Sequence, residues 1–216
     1  MTIRQIIIAA LLIALPTTWT HAQRGLVTTK KLYTQQADIS AYQASGAVPE
    51  TDGKVVFSAT IPTNGKTKEQ LYPLLASFAS FRFAPNTQRG EWREPGFFKN
   101  IEYAKVTKAD KEEGIIIAQG AEEMIFSNKF LSQDYTQAFY LLTMTFTADG
   151  IDVKMNNIAY VYAGSGSSTR ITAEEWITDS EALNKKGELR RINGKFRVKT
   201  IDLFNELTEE ISQAIK

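Results

Sequence analysis

The chain has 216 residues, 25 Lys and Arg against 24 Asp and Glu, 43% hydrophobic residues, no cysteine and one histidine. That histidine, His21, falls in an N-terminal segment expected to be removed, so histidine-activated nucleophiles and the usual zinc, copper and haem ligand sets are excluded. Removing Arg4 with the same segment leaves basic and acidic side chains equal in number, which is not the basic excess that displaces counterions from nucleic-acid phosphates.

Residues 1–22 carry one charge at Arg4, an apolar run from Ile6 to Leu15, Pro16, and the small-residue site Thr20-His21-Ala22. That order is expected of a secretory signal peptide cut after Ala22. The apolar run spans only ~15 Å as a helix, half of a bilayer core, so no transmembrane anchor is expected after cleavage. The expected location is exported, periplasmic or extracellular, and compatible with a peripheral position on the outer membrane. Without cysteine the exported domain has neither a lipid-bearing thiol nor a disulfide, and its core alone must hold it.

Residues 23–52 are polar and small, with no sustained apolar period, and are expected to form a polar arm or linker. Residues 53–216 are expected to form a single α+β domain. KVVFSATIP opens it as a strand in which Val55, Phe57 and Ala59 alternate with Val56 and Ser58, ended by Pro62 and the turn Asn64-Gly65. A helix follows, with Thr67 and Gln70 spaced as a capping box and an apolar stripe of Leu71, Leu74, Leu75 and Phe78. Pro73 conflicts with a start at Thr67, so the helix is expected to begin near Gln70 or to kink.

Residues 84–98, APNTQRGEWREPGFF, form a connector rich in Gly and Pro. Four extended runs come next: IEYAKVTK, GIIIAQGAEEMIF, TQAFYLLTMTFTA and IDVKMNNIAYVYA, the last two joined by Asp149-Gly150, a type I′ hairpin signal. In the last run Ile151, Val153 and Met155 occupy odd positions, whereas Ile158, Tyr160 and Tyr162 occupy even ones. One extra residue near Asn156-Asn157 would keep both sets on one face, so a β-bulge is expected there. After the Gly- and Ser-rich stretch 164–168, the segment AEEWITDSEAL leads to a closing amphipathic helix marked by Thr200, Leu203, Phe204, Leu207 and Ile211. The order β-α-β-β-β-β-α predicts a single curved antiparallel sheet with two helices on one face, because each helix has one apolar stripe to bury.

The strand KVVFSATI, the helix TKEQLYPLLASF, the hairpins and the stretch AEEWITDSEALNKKGELRRINGKFRVKTIDLFNEL together resemble the secreted bacterial domain of unknown function 4468 family, over roughly residues 53 to 210. The resemblance implies a TATA-binding-protein-like (TBP-like) fold and an envelope location, and it carries no catalytic residues to transfer.

Three groups of side chains remain as candidate sites. Glu174 and Glu175 beside Trp176 suggest a carboxylate pair working against a sugar-stacking ring, but adjacent helical side chains diverge by about 100° and cannot flank one glycosidic bond. Thr172 to Glu175 also fits a capping box, and Trp176 fits an anchor to the sheet. The basic run Lys185, Lys186, Arg190, Arg191, Lys195, Arg197 and Lys199 reads either as a solvated loop or as a patch for anionic glycan or lipid headgroups. Arg89, Trp92 and Arg93 give the connector a composition enriched at recognition surfaces, or else a flap folded under the sheet edge. The candidate binding residues are thus Arg89, Trp92, Arg93, Trp176, Arg190 and Arg191, with no cofactor, no metal and no catalytic residue. The expected function is non-catalytic binding of an envelope protein or glycan. A carboxylate-dependent glycan hydrolase and a structural subunit of an envelope complex are the alternatives.

Overall fold

Tyr140, Leu142 and Met144 are buried while Phe139, Leu141 and Thr143 between them are not, and this strict alternation builds the centre of the molecule. The computed structural model describes residues 39–84, 98–100, 103–129, 132–162 and 169–216. The expected signal segment 1–22, the first part of the expected polar arm, the 164–168 stretch and the connector with Arg89, Trp92 and Arg93 lie outside the described residues.

The described elements in chain order are α1 (Ile39–Gln43), β1 (Glu50–Thr51), β2 (Lys54–Val55), β3 (Phe57–Ile61), α2 (Lys68–Arg82), β4 (Phe98–Asn100), β5 (Lys105–Asp110) and β6 (Ile115–Lys129), followed by β7 (Ser132–Phe146), β8 (Ile151–Tyr162), β9 (Thr169–Thr172), α3 (Ala173–Trp176), α4 (Asp179–Ala182) and α5 (Asn193–Ala214). The expected β-α-β-β-β-β-α order is present as β3-α2-β5-β6-β7-β8-α5. The sheet runs β3-β8-β7-β6-β4, with β5 also on β6 and β9 also on β8, every pair antiparallel. Each outer edge is therefore shared by two short strands laid end to end.

One face of this sheet carries the core. Ile116, Met124, Leu142, Met144, Val153 and Met155 pack with Leu71 and Leu75 of α2 and with Phe196, Leu203 and Leu207 of α5 in a single cluster. Both long helices thus lie on the same face, and the molecule is α+β as expected. At 25 cal/mol per Å² of apolar area, buried side chains of this size contribute about 1.5–3 kcal/mol each, the term that must stabilise a domain without disulfides.

Several expectations meet a local physical reason. The bulge is present: Leu141 pairs with Asn156 but Phe139 with Ala159, and Asn157 takes up the extra residue at φ 51°. The hairpin between β7 and β8 is also present, without the expected two-residue type I′ turn. Its loop is four residues long, closed by Thr147 N donating to Gly150 O at 2.8 Å, and a Cβ on Gly150 would stand 2.4 Å from Ile61 O. Asp52-Gly53 instead has positive φ at both residues and turns β1 into β2. The strand expected over residues 101–108 is found at Lys105–Asp110. Its register follows Val106 opposite Ala118, with a bulge at Thr107 whose hydroxyl donates to Ile117 O.

Helix α2 starts at Lys68 with the Thr67–Gln70 capping box in place, so the chain neither delays the helix past Pro73 nor ends it there. Its buried residues are Leu71, Tyr72, Leu75, Ala79 and Arg82, whereas Leu74 of the expected stripe is 42% exposed; Arg82 is held inside by Glu122 on β6 and Glu210 on α5. Residues 39–52, part of the expected polar arm, carry α1 and β1, and β1 pairs with β2 just beyond them. Val48 is buried, and the compact unit that holds the described domain runs Gln36–Lys216. Among the described residues no helix is long and apolar enough to cross a membrane.

Candidate functional site

The segment 172–183 is a clasp. Thr172 Oγ1 accepts from Glu175 N at 3.4 Å, and Glu175 Oε2 accepts from Thr172 N at 2.9 Å, so the capping box closes α3. Those bonds, the backbone amide first, hold the Glu175 carboxyl below the usual carboxylate range. Glu174 Oε1 accepts from Val55 N at 2.9 Å and ties the clasp to β2. Trp176 is partly buried, edge-on to Phe196 with centroids 5.8 Å apart, and its indole N–H has no acceptor among the described residues. The two glutamates thus point to backbone amides in different elements, and the tryptophan packs nearly at a right angle on Phe196 beside the core.

The basic run separates into three fates. Lys185, Lys186 and Arg191 are exposed. Arg190 turns back on the clasp, donating from Nε to Leu183 O at 2.9 Å and from Nη2 to Ser180 O at 3.2 Å. Lys195 Nζ lies 2.7 Å from Asp134 Oδ2, 4.5 Å from the Phe126 ring centroid and 4.7 Å from that of Tyr162, a paired and partly desolvated cation. Lys199 is buried, and burial pulls its pKa down to about 8 against the attraction of Asp202 and Glu206. The run is therefore divided between an exposed loop, Lys185 to Arg191, and the helix α5, where Arg197 and Lys199 are buried and Lys195 is half-buried.

Arg197 is the innermost of the run and fully buried. Its Nε donates to Tyr42 O at 2.7 Å, Nη1 to Ile177 O at 3.0 Å and Nη2 to Ala44 O at 3.0 Å, and Nη2 lies 2.8 Å from Asp179 Oδ1. Asp179 Oδ2 in turn accepts from Ser45 Oγ and Gly46 N, both at 3.0 Å. Burial alone would raise the Asp179 pKa, but Gly46, Arg197 and Ser45 together hold it below the usual value. One guanidinium thus joins the residues around α1, the clasp and α5.

A second buried charge site lies between both long helices and the sheet. Arg82 Nη2 is 3.0 Å from Glu122 Oε1 and its Nε 2.7 Å from Glu210 Oε2, while Tyr140 OH also donates to Glu122 Oε1. Burial opposes the charge on Arg82, yet Glu122 and Glu210 raise its pKa well above the free value, and burial followed by Glu122 raises that of Tyr140. The Tyr140 ring lies on Gly120, where a Cβ would approach it to 2.0 Å. Sequence reasoning missed this group. The signals were Arg82 on the apolar stripe of α2, Glu122 at a core-facing parity and a glycine inside a strand.

The opposite face of the sheet carries no described helix. Ala121, Phe139 and Ala159 are cross-strand neighbours at its centre, and Gln119, Leu141 and Asn156 form the next row. Tyr103, 60% exposed, stands 6.3 Å from the Phe139 ring, and the Arg170 guanidinium lies 5.8 Å from the same ring. Glu123 and Gln137 pair in the row beyond, and Tyr135, 42% exposed, follows. This broad face can present exposed aromatic and half-buried amide groups to a binding partner.

Fold and site define an α+β domain with two buried charge networks, one around Arg82 and one around Arg197. A family model described as a domain of unknown function (DUF4468) with TBP-like fold matches residues 57–161. A solved DUF4468 family protein from Bacteroides ovatus is 30% identical, with 82% of this chain and 95% of that chain covered and a TM-score of 0.69. The chain belongs to the DUF4468 family. A TBP-like protein from Parabacteroides distasonis, 16% identical over 78% of this chain and 96% of that one with a TM-score of 0.60, shares the fold. Comparison with curated proteins gives no match.

Proposed function

We propose that this chain is an exported envelope domain that works by binding, and that its ligand surface is the open face of the sheet around Tyr103, Phe139 and Leu141. The observation that carries this reading is the internal use of the other candidate groups. Glu174 and Glu175 accept from backbone amides, Asp179 from Gly46 and Arg190 donates to backbone carbonyls, which favours a clasp over a hydrolytic carboxylate pair. Aromatic rings at 60% and 42% exposure on a sheet face that carries no described helix are the kind of surface that marks a binding site.

The test uses the domain from Gln23 to Lys216 incubated with isolated cell envelopes. Saturable retention is expected, at least about tenfold weaker for the double substitution Tyr103→Ala with Leu141→Asp and unchanged for Glu174→Gln with Glu175→Gln. Absence of saturable retention would sink the binding reading, and retention that follows the glutamates instead would return the site to the clasp. Export is tested separately by N-terminal sequencing of the protein recovered outside the cytoplasm, with Gln23 expected as the first residue.

A further inference from the structure

Resting on that binding reading, we propose that the open face recognises an acidic polysaccharide, a glycan whose repeat carries carboxylates, laid across the strands between Lys105 and Arg170. Three chemical features of the face converge on this class.

The first is charge. Lys105, Lys154 and Arg170 are exposed on this face, and none of them forms an ion pair among the described residues. Lys108, on the same edge strand as Lys105, is neutralised by Glu113. The carboxylates at the far end are engaged, Asp152 accepting from Thr60 Oγ1 at 2.7 Å and Asp110 from Glu113 N at 2.9 Å. Among the described residues the acidic side chain nearest the aromatic centre is Glu123, which stands opposite Lys99, and Asp152 and Asp110 lie at the far end, so the three exposed cations give this part of the face its complement to an anion. Arg170 stacks beside Phe139, and a stacked guanidinium keeps its in-plane N–H fork available for a carboxylate.

The second is the polar content of the centre. Gln119, Gln137 and Asn156 sit among Phe139, Leu141 and Val161 by cross-strand register. The Asn156 Oδ1 atom is buried with no donor among the described residues. An apolar partner laid here, whether a lipid surface or the dry centre of a protein interface, would leave such amides unpaired at a cost of about 1–3 kcal/mol each. A hydroxyl-rich ligand supplies both donors and acceptors and pairs them.

The third is shape. Tyr103 offers an exposed ring beside Phe139, and the alanines on either side of Phe139 keep the surface low. Lys105 and Arg170 stand on opposite edges of a sheet five strands wide, about 19 Å across at ~4.8 Å per strand, and about 13 Å apart along the strands because Lys105 shares a row with Leu141 and Arg170 with Gln137, roughly 23 Å in all. That span suits a short extended oligosaccharide. A duplex nucleic acid would demand a larger basic footprint than three cations.

The experiment titrates an oligogalacturonate of defined length into the domain by calorimetry, with a neutral galactan oligosaccharide of the same length as comparison. Saturable binding of the uronate is expected, at least about tenfold tighter than the neutral oligomer and weakened by raising salt from 50 to 300 mM, on the order expected for exposed charges. Tyr103→Ala should weaken it about tenfold and Arg170→Gln several-fold with a shallower salt dependence, while Arg191→Ala, on the clasp side, leaves it unchanged. Both substituted side chains are exposed or half-exposed, and unchanged melting temperatures confirm folding. No saturable uronate binding, equal affinity for the neutral oligomer, or indifference to Tyr103→Ala would each overturn the proposal. If uronate fails while envelopes still retain the domain through Tyr103 and Leu141, the glycan class is wrong and the binding surface stands. If both fail, the binding reading falls with it.

Discussion

Phe139 and Tyr140 are neighbours on β7 and belong to different physical worlds. Tyr140 faces the helices, is buried on Gly120, and donates its hydroxyl to a glutamate that also holds Arg82. Phe139 faces outward between Ala121 and Ala159, against an exposed tyrosine and an exposed arginine. On the covered face Arg82 and Tyr140 meet at Glu122 Oε1, and Glu210 meets the Arg82 guanidinium. On the open face the cations, amides and rings are left for something else. Polar side chains on the two faces of one sheet thus have different surroundings, ion pairs between elements on one side and the proposed binding surface on the other.

Breaking the covered face should be expensive. Arg82→Met leaves Glu122 buried without its cation and should destabilise the domain by about 3–5 kcal/mol in urea denaturation, with most of the loss recovered in the double variant Arg82→Met with Glu122→Leu. A cost under about 1 kcal/mol for the single variant would remove the network from the core. Arg197→Met should cost roughly 3 kcal/mol, since three carbonyls and Asp179 lose a buried donor, and should expose residues 36–48 to limited proteolysis ahead of global unfolding. Gly120→Ala drives a methyl into the Tyr140 ring and should cost about 1–3 kcal/mol by overpacking.

Asp179 gives the comparison a pH dependence. Its folded pKa is depressed, so its contribution to stability is complete above the ordinary value of 3.8 and is lost as pH falls through the lower folded value. Asp179→Asn should therefore be less stable than the parent at pH 6, and the gap should close as pH drops toward about 3, followed by thermal melts across that range. A gap that stays constant with pH would detach Asp179 from Arg197. The smallest effect belongs to the open face: Tyr103→Ala should shift stability by no more than about 0.5 kcal/mol, and a large loss there would show that the face is closed by something structural.

Much of the fold was legible in the sequence wherever a local period carried the information. Alternation marked β6, β7 and β8, and the change of parity between Met155 and Ile158 located the bulge. The spacing Thr172 to Glu175 located the cap of α3, and the stripe Thr200, Leu203, Phe204, Leu207 and Ile211 located the buried side of α5. The type I′ signal at Asp149-Gly150 was misread because Ile61 O crowds that glycine and the loop is four residues long, while the same signal at Asp52-Gly53 passed unused. The charged core was the harder part. Arg82 meets partners 40 and 128 residues away, and Arg197 closes on backbone carbonyls more than 150 residues upstream.

By itself the sequence determined the order of the elements, the antiparallel hairpins, the face each strand and helix buries, and the absence of histidine and cysteine chemistry from residues 23–216. These depend on periods of two and 3.6 residues and on composition, which are properties of short stretches. Only the tertiary structure decided which charges go inside, because a buried ion is tolerable only when a partner from another element meets it at hydrogen-bond distance. The same holds for the open face: Lys105, Gln119, Leu141, Asn156 and Arg170 come from five different strands, and strand pairing alone makes them neighbours.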